Sequence, residues 1–193
     1  MNQNVLILDC ATRNVVIAEF HGILTAEDLD EAERQWKKHG SSKSTEHSHW
    51  DWSEKKWPLL EGALNVRCFG IKLADKWQGL AMVESAPPAY PAKLGEDKGK
   101  SLLHMIYLES APWNDPMRAP QYKWTGTRLM EAAVVLSRHE GFRGRMNLFA
   151  LPQAENFYKR CRMVLVDGVT NDEGLNLYEM TEDNAKKFLD EKR

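Results

Sequence analysis

Apolar positions follow two periods along this chain, and the switches between them divide it into elements. Residues 5–8 and 14–20 are short apolar or β-branched runs separated by Asp9, Cys10, Ala11, Thr12 and Arg13, which predicts an early hairpin. Residues 65–73 and 77–84 read as a second strand pair joined by Ala74, Asp75 and Lys76. Further strands are expected over 101–109 and 145–151, with a final pair at 163–167 and 175–180 around the turn-rich residues 168–174. Helical signals fall between them. Thr25 precedes a stretch over 26–38 with Glu27 and Asp28 early, Lys37 and Lys38 late, and Gly40 after the end. Leu129, Ala132, Ala133 and Leu136 fall at i, i+3, i+4 and i+7, so they are expected to line one buried face, with Thr125 capping the start and Gly141 the stop. Pro152 opens a helix over 152–160, and Thr181 caps a last charged helix through Lys192. This succession predicts a mixed α/β layer fold.

Composition narrows the class of protein. A chain of 193 residues suits a single domain, 1–193, able to bury one core without disulfides. With 26 basic and 28 acidic residues the net charge is −2, so no global field recruits nucleic acid or an anionic membrane. Cys10, Cys68 and Cys161 are an odd number with no Cys-x-x-Cys pair, and the first residues show no basic leader or spanning run, so a cytoplasmic protein is expected.

Three stretches carry possible chemistry outside the regular elements. Trp50, Trp52 and Trp57 interleave with Asp51, Glu54, Lys55 and Lys56. They form either an acceptor surface, where carboxylates and aromatic faces draw an ammonium, or a loop pinned to the core by its tryptophans. His47, His49 and Asp51 alternate, but they have neither cysteine nor a known zinc spacing, and no metal site is expected. Residues 85–100, with Pro87, Pro88, Pro91, Gly95 and Gly99, are long for a connection. They are read as an insertion that borders an acceptor cleft or runs as a solvated excursion. Glu84-Ser85-Ala86-Pro87 recurs as Glu109-Ser110-Ala111-Pro112, read as two strands leaving a sheet by the same turn chemistry.

The densest signal lies in 121–158. A glycine-bearing loop before a helix presents unpartnered first-turn N–H groups at the positive end of the macrodipole, and so suits a phosphate. Here the loop reads Gln121-Tyr122-Lys123-Trp124-Thr125-Gly126-Thr127, followed by Arg128 and Leu129. Farther on comes Ala154-x-x-Phe157-Tyr158-x-x-x-Arg162-Met163. This order of loop, helix, strand and helix resembles the Gcn5-related N-acetyltransferase (GNAT) family. Its head motif is Gln/Arg-x-x-Gly-x-Gly/Ala and its tail commonly reads Ala-x-x-Phe-Tyr-x-x-x-Gly-Phe. The motif-bearing likeness covers about 101–168. Trp124 stands at the first glycine position, Arg162 and Met163 replace the tail Gly-Phe, and Leu151 stands where many members carry asparagine.

The resemblance implies a central mixed, largely antiparallel sheet flanked by helices, and acetyl transfer from acetyl-coenzyme A directly to an amine. It places the pyrophosphate on the backbone of Gln121, Tyr122, Lys123, Trp124, Thr125, Gly126 and Thr127, with Lys123 and Arg128 as local cations. It places pantetheine along the strand at Leu108 and Ser110, adds Asn156 as a cofactor contact, and makes Tyr158 the acid that protonates the departing thiolate. The base that deprotonates the ammonium is Glu109, Glu84, His104 or a water chain, with Glu109 preferred. Cys161 is read as a packed thiol rather than a nucleophile. The alternative reading is an inactive binding or sensor module on the same fold. The expected partners are acetyl-coenzyme A and an amine, without nucleic acid or membrane, and a homodimer edge is open at the last strands or the insertion.

Overall fold

A computed structural model describes residues 3–39 and 51–191. Gly40, His47, His49, Trp50, Lys192 and the readings made on them lie outside the described residues. The chain divides into two compact units, Met1–Met82 with Tyr107–Leu129, and Val83–Ile106 with Met130–Arg193.

The first unit begins with the expected hairpin. β1 (Gln3–Asp9) pairs antiparallel with β2 (Val15–His21), and β2 pairs antiparallel with β3 (Val66–Leu73). β3 leads to β4 (Lys76–Ser85) through Ala74 and Asp75, both at positive φ, the two-residue geometry that matches the natural twist of paired strands. α1 (Ala26–Lys38) starts in a capping box. The Thr25 hydroxyl accepts from the Asp28 N–H at 3.3 Å and the Asp28 carboxylate accepts from the Thr25 N–H at 2.9 Å. Its face of Leu29, Ala32 and Trp36 is buried, and the Trp36 indole donates to the Trp77 carbonyl at 2.9 Å. Two single-turn helices follow, α2 (Trp52–Lys55), capped by the Asp51 carboxylate, and α3 (Trp57–Leu60).

β5 (Leu103–Ser110) and α4 (Thr125–His139) run from one unit into the other, as β4 does. Between them β6 (Tyr122–Lys123) pairs antiparallel with the end of β1. In the second unit β7 (Met146–Ala150) pairs parallel with β5 and antiparallel with β9 (Asn176–Met180), which takes β8 (Val164–Thr170) on its other side. α5 (Glu155–Arg160) and α6 (Glu182–Asp190) complete it, with the Thr181 hydroxyl accepting from the Asn184 N–H at 3.3 Å. Among the described residues nine strands hydrogen-bond in the order β6-β1-β2-β3-β4-β5-β7-β9-β8, a mixed and mostly antiparallel sheet with helices.

Three local readings are corrected. The buried face of α4 is Leu129, Met130, Ala133, Val134 and Ser137, while Ala132 and Leu136 are half-buried at its flank. Its stop is as expected, a left-handed Gly141 (φ 84°) with the Phe142 N–H on the Ser137 carbonyl at 2.8 Å. Residues 85–100 are not a solvated excursion. Ala92 is buried, the Lys93 and Leu94 N–H groups donate to the Glu179 carboxylate at 2.7 and 3.0 Å, and Tyr90 stacks on His104. Nor do the two Glu-Ser-Ala-Pro turns share a conformation, since Ala86 has φ 49° and Ala111 has φ −52°.

Candidate functional site

In the first unit a carboxylate and an amine stand together on the α1–α2 side of β5. Trp52, fully buried, packs edge-on against Trp36 and Tyr107 and donates its indole N–H to Glu109 Oε2 at 2.7 Å. Its own backbone N–H donates to Glu33 Oε2 at 2.9 Å, so α1 fixes it from behind. Tyr107 and Glu109 lie two residues apart and share one face of the strand. Over the Tyr107 ring, 4.1 Å from its centroid, stands the Lys55 ammonium.

The surroundings perturb both ionisable groups. Removal from water pushes the Glu109 carboxyl up to about 8, with Glu33 adding repulsion while Trp52 and Lys55 pull the other way. Removal from water also brings the Lys55 amine down to about 8, against the attraction of Glu109, Glu33, Asp51 and Glu54. Thus an electrostatically coupled carboxyl and amine have their proton affinities brought close to one another.

Of the two readings of the tryptophan-rich segment, the packing one holds for Trp52. Trp52 packs, Trp57 is exposed, and the segment's Lys55 ammonium lies over the ring of Tyr107 on β5. Nothing periodic in the sequence marks Lys55, because α2 is a single turn. The buried Gln78 was also missed. Its side chain accepts from the Trp113 indole at 2.9 Å and from Asn114 at 3.1 Å, and Asn114 in turn accepts from the Tyr122 N–H at 2.9 Å.

That network changes the reading of the phosphate loop. The N–H groups of Gln121 and Tyr122 are spent on the Trp113 carbonyl and Asn114, and Lys123 pairs in β6 against Leu8. Trp124 holds φ 76°, the left-handed region that glycine occupies without strain, at the first glycine position of the motif. α4 begins one residue later, with the Arg128 N–H on the Trp124 carbonyl at 2.9 Å. Thr125 is therefore inside the helix rather than its cap, and its buried hydroxyl has no hydrogen-bond partner among the described residues. Helix geometry leaves the N–H groups of Thr125, Gly126 and Thr127 without acceptors inside α4. Arg128 is not a loose cation, since its Nε donates to the Leu6 carbonyl at 2.9 Å and its guanidinium lies over Trp124.

Gly79 on β4 is what lets α4 approach. A Cβ there would stand 2.7 Å from Thr125 Cγ2 and 3.0 Å from the Glu109 carbonyl oxygen.

The second unit holds the remaining candidates. Tyr158 on α5 is buried, and loss of solvent pushes its phenol well above the usual range, so it keeps its proton at neutral pH. Arg162 sits at φ 64° where the family motif has glycine, with the Met163 N–H on the Tyr158 carbonyl at 3.0 Å. The two glycine positions of the motif that this chain fills with other residues thus both keep the left-handed backbone. Asn156 is exposed. His104 is buried between Tyr90 and Phe149, and its Nδ1 donates to Asn147 Oδ1 at 2.7 Å, since an amide oxygen only accepts. Burial lowers its affinity for a proton. Glu84 is half-buried at the end of β4.

The β5–β7 ladder is short. It pairs Leu103 with Met146 and His104 with Asn147 and then stops, leaving Met105 and Ile106 on one strand and Leu148 and Phe149 on the other outside it. Among the described residues no group of His, Cys, Asp and Glu is arranged to hold a metal, and no helix is long and apolar enough to cross a membrane.

No protein-family model matches the chain, and no curated protein matches its sequence significantly. Solved structures do match. The Bacillus subtilis N-acetyltransferase YlbP, in complex with coenzyme A, is 13% identical over 86% of this chain and 97% of its own, with a TM-score of 0.55. The GNAT domain of S. lividans PAT is 8% identical over 93% and 96%, with a TM-score of 0.60. A chain of the KacTA–DNA complex is 11% identical over 90% and 98%, with a TM-score of 0.56. At these identities the likeness establishes the fold, and this chain has the fold of the GNAT acetyltransferases.

Proposed function

We propose that the protein is an N-acetyltransferase that takes acetyl-coenzyme A as a substrate and passes its acetyl group directly to an amine. The observation that carries this reading is Glu109. A carboxyl on the sheet of a GNAT fold, its proton affinity raised to about 8 by burial and an ammonium close by, suits deprotonation of an incoming ammonium. The N–H groups of Thr125, Gly126 and Thr127 would hold the pyrophosphate, with Lys123 contributing charge. The backbone of β5 at Leu108 and Ser110 would pair with pantetheine where the ladder to β7 has ended. Tyr158, protonated at neutral pH, is assigned to protonate the departing thiolate. Reduced thiols at Cys10, Cys68 and Cys161 suit a cytoplasmic setting.

DNA is not among the proposed partners, because the balanced charge supplies no phosphate-attracting field. Salt-dependent retention of DNA by the purified protein would overturn that.

The test is thermal unfolding with and without acetyl-coenzyme A, followed by an amine screen that reads release of the thiol, with Tyr158→Phe as control. Ligand at about a hundred times its dissociation constant stabilises by roughly 2.7 kcal/mol, a shift of several degrees. Absence of any shift would sink the proposal. One observation favours a second reading, a module that binds without turnover: Gln121 and Tyr122 have no N–H left for phosphate, and Trp124 stands where the motif has glycine. A thermal shift by coenzyme A with no thiol release from any amine would select it.

A further inference from the structure

The amine most closely coupled to Glu109 belongs to the chain itself. One turn of helix, capped by Asp51, carries Lys55 to the ring of Tyr107, and Tyr107 shares a strand face with Glu109, which Trp52 holds by its indole N–H. Carboxylates of Glu33, Asp51, Glu54 and Glu109 surround the amine electrostatically, from α1, α2 and β5. An aromatic floor with carboxylate walls is the seat a cationic amine requires. A second amine arriving there would have to displace Lys55 or react in its place.

We propose that Lys55 is itself an acetyl acceptor, modified within its own molecule by acetyl-coenzyme A through Glu109. The inference rests on the proposed acetyl-coenzyme A site and deepens it by naming a primary alkyl amine of the lysine type as the acceptor. The Lys55 ammonium passes one proton to the Glu109 carboxylate. The freed nitrogen lone pair forms the N–C bond at the thioester carbonyl carbon. Collapse of the tetrahedral intermediate breaks the C–S bond, and the second proton lost from nitrogen leaves with the thiolate as the free thiol of coenzyme A. No oxidant or further reactant is needed, and the amide that remains is neutral.

The seat also explains why Lys55 and not another lysine should react. Lys98 and Lys186 are exposed, with no such seat recorded around them among the described residues. Lys55 is half-buried, and the same withdrawal from water that lowers its proton affinity leaves more neutral amine at a given pH.

The experiment incubates the whole purified chain with acetyl-coenzyme A and follows intact mass and peptide maps with time, with a melting curve recorded alongside. The expected result is one acetyl group on Lys55, at a rate per molecule independent of protein concentration. Urea-unfolded chain should show none of this selectivity. Lys55→Arg keeps the cation and should lose the modification, and Glu109→Gln should slow it about a hundredfold. Acetyl groups spread over Lys98, Lys186 and other exposed lysines at a rate unchanged by Glu109→Gln would overturn the inference, as would a rate proportional to protein concentration. If acetyl-coenzyme A raises the melting temperature while Lys55 stays unmodified, the inference fails and the proposed function stands. If neither occurs, both fail. The wild-type peptide map decides the matter even where a variant does not fold.

Discussion

Replacing Glu109 with glutamine should make stability less dependent on pH. In the folded protein the carboxyl is raised from 4.5 to about 8 by loss of solvent. Below pH 4.5 both the folded and unfolded chains hold the proton, and the carboxyl costs nothing. As pH rises from 4.5 towards 8 the unfolded chain releases its proton while the folded chain keeps it, so stability falls, and it levels off above about 8. Each unit of displacement is worth about 1.4 kcal/mol, which sets a ceiling near 5 kcal/mol for a wholly desolvated group. Glu109 is half-buried, and solvent screening brings the expected figure to about 2–3 kcal/mol. The glutamine amide that replaces the carboxyl has no such proton, and its oxygen can still accept from the Trp52 indole.

Urea unfolding of the wild type and Glu109→Gln should therefore give a gap that is small near pH 4.5 and grows to about 2–3 kcal/mol in favour of the variant near pH 8. Lys55 acts in the opposite window. Its affinity, lowered from 10.5 to about 8, removes stability as pH falls from 10.5 towards 8, so the wild-type cluster is least favourable close to pH 8. Loss of its counter-charge in Glu109→Gln offsets part of the gain, and Glu109→Gln with Lys55→Met completes a cycle that separates the two. A gap of the same size at both ends of the range would refute the reasoning, because it would mean that the Glu109 carboxyl titrates alike in the folded and unfolded chains.

Three other outcomes follow from particular contacts. Gly79→Ala should destabilise by about 1–3 kcal/mol, because its Cβ meets Thr125 Cγ2 at 2.7 Å and the backbone oxygen of Glu109 at 3.0 Å; an unchanged melting temperature would show that α4 can retreat freely. Trp52→Phe removes the donor to Glu109 and should move the midpoint of any pH–rate profile upward while costing roughly 1–3 kcal/mol in urea unfolding; an unmoved midpoint would remove Glu109 as the base. Trp124→Gly relieves a left-handed residue, a gain of about 1–2 kcal/mol that the greater freedom of glycine in the unfolded chain and the lost contact with Arg128 offset to within about 1 kcal/mol. Its effect should instead be tighter binding of acetyl-coenzyme A in calorimetry, and weaker binding would mean that the indole contributes to the site.

Elements whose signals lie within a few residues could be read from the chain alone. The cap at Thr25, the β1–β2 hairpin, the stop at Gly141 and the strands on either side of Ala74 and Asp75 each depend on neighbours in sequence, and each forms as expected. The order of these elements and the motif around 121–158 were enough to expect the GNAT fold. Thr125 shows where local reading ends: it has the residue type of a cap, but Trp124 takes the left-handed turn first and the helix begins at Thr125 itself. The buried face of α4 differs for a related reason, since periodicity names an apolar stripe while the packing chosen for the whole helix includes Met130, Val134 and Ser137.

Only tertiary structure set the surroundings of the candidate groups. The sequence left Glu109 among four options for the base; the fold couples it to Trp52 and Lys55 from more than fifty positions away, and the electrostatic character of Glu109 and Lys55 arises from shared burial, which no spacing encodes. The loop read as a phosphate site gives the N–H groups of Gln121 and Tyr122 to Trp113 and Asn114 by the same kind of distant pairing, with Gln78 on β4 organising it. Periodicity and capping are properties of a short window of chain, whereas desolvation and hydrogen-bond competition depend on which windows the sheet sets side by side.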